Sequence, residues 1–315
     1  MSLASSVLGA RGSSTSKASS DFNWGSIMAH DELDLSSCYG LEADVLVQLL
    51  RGCSGLRSLA LPPLASSVQS NRHDFVEAIT THAGQLTQLL GAGDYICPAS
   101  VQLLPQLSQL QFCASRKGAA ALAQQLLELQ MRVNDADMQA FAAALPALTG
   151  LRSLSLSVHR ASESCTELMQ AIFSLPQLQS LALSSHYNGL KEAEASNLPL
   201  LPSLQRLSLS NHFNDTTLQL LLRAAPSLRS LKLSSCSAVS DAGLTAVPQL
   251  CSKLREVHLE LMRGAGAAGV AALAAGRCVV KVVVEGCRNV SAQECRRLQQ
   301  QLAGQKLDLE IFKLK

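Results

Sequence analysis

Apolar residues return along this chain at the first, fourth and sixth places of a segment that repeats about every 25 positions. The copy opening at Leu228 reads LRSLKLSSC, and 26 residues later Leu254 opens LREVHLEL. Taken in order, the copies at Leu126, Leu151, Leu178, Leu204, Leu228, Leu254 and Val279 are spaced by 25, 27, 26, 24, 26 and 25 residues. Leu56 (LRSLALPPL) and the stretch HDELDLSSC from His30 sit 26 apart in the same frame. Between Leu56 and Leu126 the frame degrades, and starts at Leu86 and Leu107 give spacings of 30, 21 and 19. A last partial copy opens near Lys306, with Leu309 and Ile311 in the apolar places.

Within each copy, apolar and polar residues alternate, so the segment predicts a short strand with leucines on one face and small polar residues on the other. About ten residues later comes a stretch of helical period, such as Asp215 to Ala225 or Ser291 to Leu302. A helix there returns the chain for the next parallel strand. Ser291 with Glu294 three residues on has the spacing of a capping box, and Ser240 before Asp241 puts an acceptor and a negative charge at another helix start. Gly52, Gly276 and Gly304 follow helical stretches, where a left-handed cap costs little. Pro146, Pro176, Pro226 and Pro248 fall late in helices and should shorten or end them.

One strand and one short helix have no second layer to cover their leucines, so a unit is stable only when stacked on its neighbours. The repeated residues fit LxxLxLxxN/C, a pattern that resembles the leucine-rich-repeat superfamily over roughly nine tenths of the chain. Cys38, Cys236 and Cys287 hold the ninth place, as in the cysteine-containing subclass found in F-box substrate receptors of ubiquitin ligases. The resemblance implies an α/β solenoid, with a curved parallel sheet on the concave side and helices on the convex side. The expected organisation is a Ser-rich tail over 1–29, then a solenoid of about 11–12 units over 30–315.

Composition narrows the function. With 26 basic against 24 acidic residues, and no basic run interleaved with aromatics, nucleic acid is not an expected partner. Apolar stretches are interrupted well before the roughly 20 residues a membrane span needs, so no membrane partner is expected either. The chain carries 10 cysteines, but several recur at one repeat position without CxxC pairing, which fits reduced thiols in the cytoplasm better than a secreted disulfide framework. Residues 1–20 hold eight serines, Arg11 and Lys17 without an acid, a composition shared by disordered tails and organelle transit segments.

Candidate chemistry is thin. Gly264, Gly266 and Gly269 spell GxGxxG between a strand and a helix, imitating a dinucleotide loop, with Glu285 at the end of the next strand. The segment sits in register within the repeat, however, and the plainer reading is a Gly/Ala-rich helix that packs closely on its neighbour. Asn134, His159, His186 and His212 occupy the ninth place in successive copies, alongside Cys38, Cys236 and Cys287 elsewhere. Parallel strands would stack these side chains into a ladder that donates to turn carbonyls, whereas zinc needs ligands that converge. No metal and no cofactor is expected. Cys53, Cys97 and Cys165 lack a local base, and no GxSxG, HExxH or GK[ST] phosphate loop is present, so no catalytic residue is assigned.

What remains is the leucine-free strand face. Its centre is small and neutral, with Ser153, Ser155, Ser180 and Ser208 among its residues, joined by Arg206 and Lys232. Glu256, His258 and Glu260 follow, and Glu32 and Asp34 charge the first unit. Tyr187 and Phe213, at equivalent turns, read either as binding anchors or as plugs over the strand ends. The expected function is a scaffold or adaptor that holds a protein partner on this face. The repeat subclass raises a ubiquitin-ligase complex as a specific form, although the residues before the first unit are too few and too Ser-rich for an F-box. A regulator of small GTPases, acting through an exposed arginine such as Arg132, Arg160 or Arg263, is the enzyme-related alternative.

Overall fold

The computed structural model describes residues 31–36, 43–53, 55–61, 72–91, 104–113, 125–159, 166–185, 198–276, 278–301 and 308–312. The Ser-rich tail lies outside these residues, as do Cys38, Cys97, Arg160, Cys165, His186, Tyr187 and Gly304. By its internal contacts the chain divides into two compact units, residues 1–131 and 132–315.

The strands are β1 (Glu32–Asp34), β2 (Ser58–Ala60), β3 (Gln88–Leu90), β4 (Gln109–Cys113), β5 (Glu128–Asn134), β6 (Ser153–His159), β7 (Ser180–Ser185), β8 (Arg206–Asn211), β9 (Ser230–Ser234), β10 (Glu256–Glu260), β11 (Lys281–Glu285) and β12 (Asp308–Phe312). Within each unit, the order of strands in the sheet is their order in the chain. In the first unit, β1 to β4 pair in parallel, and Leu59 aligns with Leu33 on one side and Leu89 on the other. Leu89 in turn faces Leu110, so the irregularly spaced starts at Leu86 and Leu107 keep the leucine register. In the second unit, Leu154, Leu181, Leu207, Leu231, Val257, Val282 and Leu309 form one continuous row from β6 to β12.

That row is the core. Leu181, Leu207, Leu231 and Val257 are at most 2% exposed, and each helix adds its own stripe, such as Leu218, Leu221 and Leu222 of the helix Asp215–Ala224. Burying one such leucine contributes about 1.5–3 kcal/mol before chain entropy is set against it. The alternating strands β9 and β11 show one buried and one half-buried face, as a sheet covered on one side requires.

Local signals place the helix ends. Ser291 and Glu294 form the reciprocal capping box, with the Ser291 N–H donating to Glu294 Oε2 at 2.9 Å and the Glu294 N–H to Ser291 Oγ at 3.2 Å. Hydrogen bonds to the carboxylate from the Ser291 side chain and from the Ser291 N–H hold Glu294 below the usual range. Asn214 caps its helix by accepting the Thr217 N–H at 2.8 Å. Pro176 and Pro226 fall just beyond helices and Pro146 sits in the short 3-10 helix Leu145–Ala147 that follows Asp135–Ala144, but Pro248 lies inside Asp241–Leu250, two residues before its end, where only the final turn loses a bond. Gly52 is the last residue of its own helix, and Gly276 closes the helix Ala267–Ala274 without a positive φ. Left-handed residues occur instead at strand ends, at Asn211, the last residue of β8, and at Ser235, Leu261 and Gly286 directly after β9, β10 and β11.

Candidate functional site

Strand pairing brings the leucine-free positions of β6 to β11 into three rows. The first runs Ser153, Ser180, Arg206, Ser230, Glu256, Lys281. The second runs Ser155, Ala182, Ser208, Lys232, His258, Val283. The third runs Ser157, Ser184, Ser210, Ser234, Glu260, Glu285. Every serine of the first two rows is half-buried, while Arg206 and Glu256 are exposed. Small side chains on adjacent parallel strands, about 4.8 Å apart, leave the backbone open to close approach by another surface.

Charge gathers from β8 onward and is mostly paired. Lys232 Nζ lies 2.9 Å from Glu260 Oε2, and this hydrogen bond holds the Glu260 carboxyl below its ordinary range. Lys281 reaches Glu310 at 2.7 Å and Asp308 at 3.8 Å, and the Glu310 hydrogen bond raises the ammonium pKa. His258 Nε2 stands 3.5 Å from Glu285 Oε2 and is shielded from solvent without a hydrogen bond, so the contact becomes an ion pair only when the imidazole carries a second proton. Pairs open to solvent contribute little to stability, so they fix pattern more than fold. Near the other end, the Ser36 N–H donates to Asp34 Oδ1 at 2.9 Å, and hydrogen bonds from Ser36 lower the Asp34 pKa.

At the ninth repeat position the Cys236 thiol donates to the Leu209 and Ser234 carbonyls, both at 3.4 Å. Cys287 does the same toward Leu259 at 3.7 Å and Glu285 at 3.6 Å. Burial pushes the Cys236 thiol up to about 11 and Cys251 up to about 12, and it raises Cys53 as well, the opposite of what a nucleophilic thiolate requires. The side chains of Asn134 and His159 fall outside the described residues.

His212 departs from the ladder expectation. It is exposed, while the next residue, Phe213, is 3% exposed. Asn211 turns left-handed at φ 78, and the Phe213 N–H closes a tight turn on the Asn211 carbonyl at 3.0 Å. The ring gains more from burial than an imidazole, whose nitrogens need partners, so phenylalanine takes the inner place. Phe213 is therefore a plug over the strand end, not an exposed anchor.

The glycine motif also has a structural explanation. The Asp241 carboxylate, from the preceding repeat, accepts the Gly266 N–H at 2.6 Å. A Cβ on Gly269 would come within 2.5 Å of the same carboxylate oxygen, and one on Gly264 would strike the Val239 carbonyl. The helix start that imitates a phosphate cradle is thus filled by the protein's own carboxylate. One repeat earlier the arrangement recurs: Asp215 accepts the Ser240 N–H at 2.8 Å and the Ser240 hydroxyl at 2.5 Å, and a Cβ on Gly243 would collide with it. These aspartate bridges were not anticipated from sequence, although each aspartate precedes its glycine by 28 positions (243 − 215 and 269 − 241).

Among the described residues, no cluster of three or more His, Cys, Asp or Glu is placed to hold a metal ion, and no helix is long and apolar enough to cross a membrane.

No protein-family model matches the chain, and no curated protein matches it. Among solved structures, it is similar to yeast Rad7, crystallised in a complex of Rad7 and Elc1. That likeness has a TM-score of 0.53 and 17% identity over 91% of this chain and 83% of that one. The leucine-rich-repeat-containing protein LegL7 of Legionella pneumophila gives a TM-score of 0.51 at 18% identity, over 87% of this chain and 90% of that one. Identities this low speak to fold alone. Taken with parallel strands in chain order and the register of buried leucines, they establish that this chain has the leucine-rich-repeat fold.

Proposed function

We propose that the protein is an interaction scaffold that receives a partner protein on the leucine-free strand face, and that it binds rather than catalyses. The observation that carries this reading is the three-row face itself. Half-buried serines from β6 to β9 leave room against the backbone, and Arg206, Lys232, Glu256, His258 and Glu260 supply charge beside them. A stable complex needs about 800 Å² from each partner, and close approach to small side chains supplies area without large ordered groups. Affinity purification with the full chain, compared with the Arg206→Glu/Lys232→Glu double variant, tests the reading. Specific partners of the wild type should be lost from the variant while its melting temperature stays within a few degrees, since exposed side chains contribute little to stability. Undiminished capture would remove this face from consideration.

A second reading, substrate receptor of a ubiquitin ligase, draws support from the Cys236 and Cys287 pattern and from the likeness to Rad7, a protein crystallised with Elc1. Co-precipitation of a ligase adaptor with the full chain tests it, and absence of the adaptor from partner-bearing fractions would count against it.

A further inference from the structure

Asn211 at the end of β8, and Ser235, Leu261 and Gly286 directly after β9, β10 and β11, stand at equivalent places with φ of 78°, 55°, 54° and 62°. The N–H groups of Ser235 and Leu261 donate to the carbonyls of Glu260 and Glu285, both at 2.8 Å, so the left-handed turn serves the sheet in each repeat. Glycine takes this conformation freely and asparagine tolerates it, but leucine brings its Cβ against a carbonyl oxygen. The fold covers the Leu261 side chain only in part. It is 38% exposed, whereas Leu259, two places earlier, is 0% exposed. A strained backbone together with an apolar side chain that is only partly covered marks a place where a partner can sit.

Its surroundings say what kind of group that is. Leu261 forms a wall of a cleft of about 220 Å³, bounded also by Ser235, Ser237, Arg263, Gly286 and Arg288. Small Ser235 and side-chain-free Gly286 flank the leucine on the neighbouring strands and leave both its sides open. Arg263 and Arg288 are exposed at equivalent places of consecutive repeats, and among the described residues neither has an acid within ion-pair distance. Of the carboxylates at the ends of the adjacent strands, Glu260 is held by Lys232 at 2.9 Å, and Glu285 stands 3.5 Å from His258. Phe312, 53% exposed, ends β12 opposite Glu285 and carries apolar surface one strand further. Two guanidiniums with no acid at ion-pair distance among the described residues, beside an apolar wall, match a peptide that presents an apolar side chain next to carboxylates; a bare phosphate would leave the leucine unused.

We propose that the cleft formed by Leu261, Arg263 and Arg288 docks a segment of a partner protein in which an aliphatic or aromatic residue is flanked by aspartate or glutamate. The proposal rests on the scaffold reading and adds to it the chemistry of the partner. The test is to pan a phage-displayed library of random dodecapeptides against the full chain. The enriched peptides, made with a fluorescein label, are then titrated by anisotropy. Enriched sequences should carry an apolar residue beside acids, and their affinity should fall with salt. Arg263→Glu/Arg288→Glu should weaken binding at least about tenfold. Leu261→Asn should weaken it several-fold while melting at or above the wild type, because asparagine fits the left-handed turn. Peptides without acids, no enrichment, or binding unchanged by the arginine reversal would overturn the proposal. So would a Leu261→Asn variant that melts well below the wild type, since the leucine would then be structural. Peptides lost with Arg206→Glu/Lys232→Glu but kept with Arg263→Glu/Arg288→Glu leave the scaffold reading standing and remove this one; peptides indifferent to both remove both.

Discussion

Gly243 is buried in the first turn of the helix Asp241–Leu250, directly against the carboxylate of Asp215 from the preceding repeat. Replacing a helical glycine by alanine ordinarily stabilises by about 0.5–1 kcal/mol, through lower chain entropy in the unfolded state. Here the new Cβ would strike Asp215 Oδ1 and approach Cγ to 2.7 Å, and the carboxylate cannot retreat without giving up Ser240, whose N–H and hydroxyl it holds at 2.8 and 2.5 Å. Overpacking of this kind costs about 1–3 kcal/mol. Gly243→Ala should therefore destabilise by about 1–2 kcal/mol net. Asp215→Ala should itself cost about 2–3 kcal/mol, since it strands donors that a charged acceptor satisfied. In that background the obstruction is gone, and Gly243→Ala should become neutral or stabilising. Urea unfolding of the four proteins in this double-mutant cycle measures the coupling, which should reach about 1–3 kcal/mol. Additive effects within about 0.5 kcal/mol would refute the claim that the glycine exists to admit the aspartate.

Leu231→Asp should abolish the cooperative melt of the 132–315 unit, because a side chain that is 0% exposed would bring an unpaired carboxylate into the leucine row; a melt at unchanged temperature would contradict this. Ser291→Ala should cost about 0.5–2 kcal/mol by removing half of the capping box, read as a lower urea midpoint, with Ser291→Asp restoring much of it. The Glu260 carboxyl titrates below its unfolded value, so its contribution is complete above about pH 4.3 and lost as pH falls through the lower folded value. Lys232→Ala should flatten that part of the acid limb of the melting curve, while Asp34 and Glu294, lowered by their own hydrogen bonds, continue to titrate in the same sense. An acid limb identical in Lys232→Ala would show that the Lys232 bond is not what lowers Glu260.

Alternation and periodicity determined the strands, the row of Leu181, Leu207 and Leu231, and the helices between them, because these are local patterns that any stacking of the units must satisfy. The Ser291–Glu294 box was legible for the same reason: both partners lie within one helical turn. Periodicity also names residues that are equivalent, but it does not say what their side chains reach. Asp215 meets Ser240 and Gly243, and Asp241 meets Gly266 and Gly269, only once two repeats are laid side by side, and so a sequence that spells a nucleotide loop turned out to hold a carboxylate. The exchange of His212 for Phe213 at the inner place was decided by competition for one buried space at a left-handed turn, and the ninth-position pattern could not foresee it. Leu261 reads in the chain as one more leucine after a strand. Tertiary structure alone turned it outward between Ser235 and Gly286, where burial, the force that orders the leucine rows, acts on it only in part.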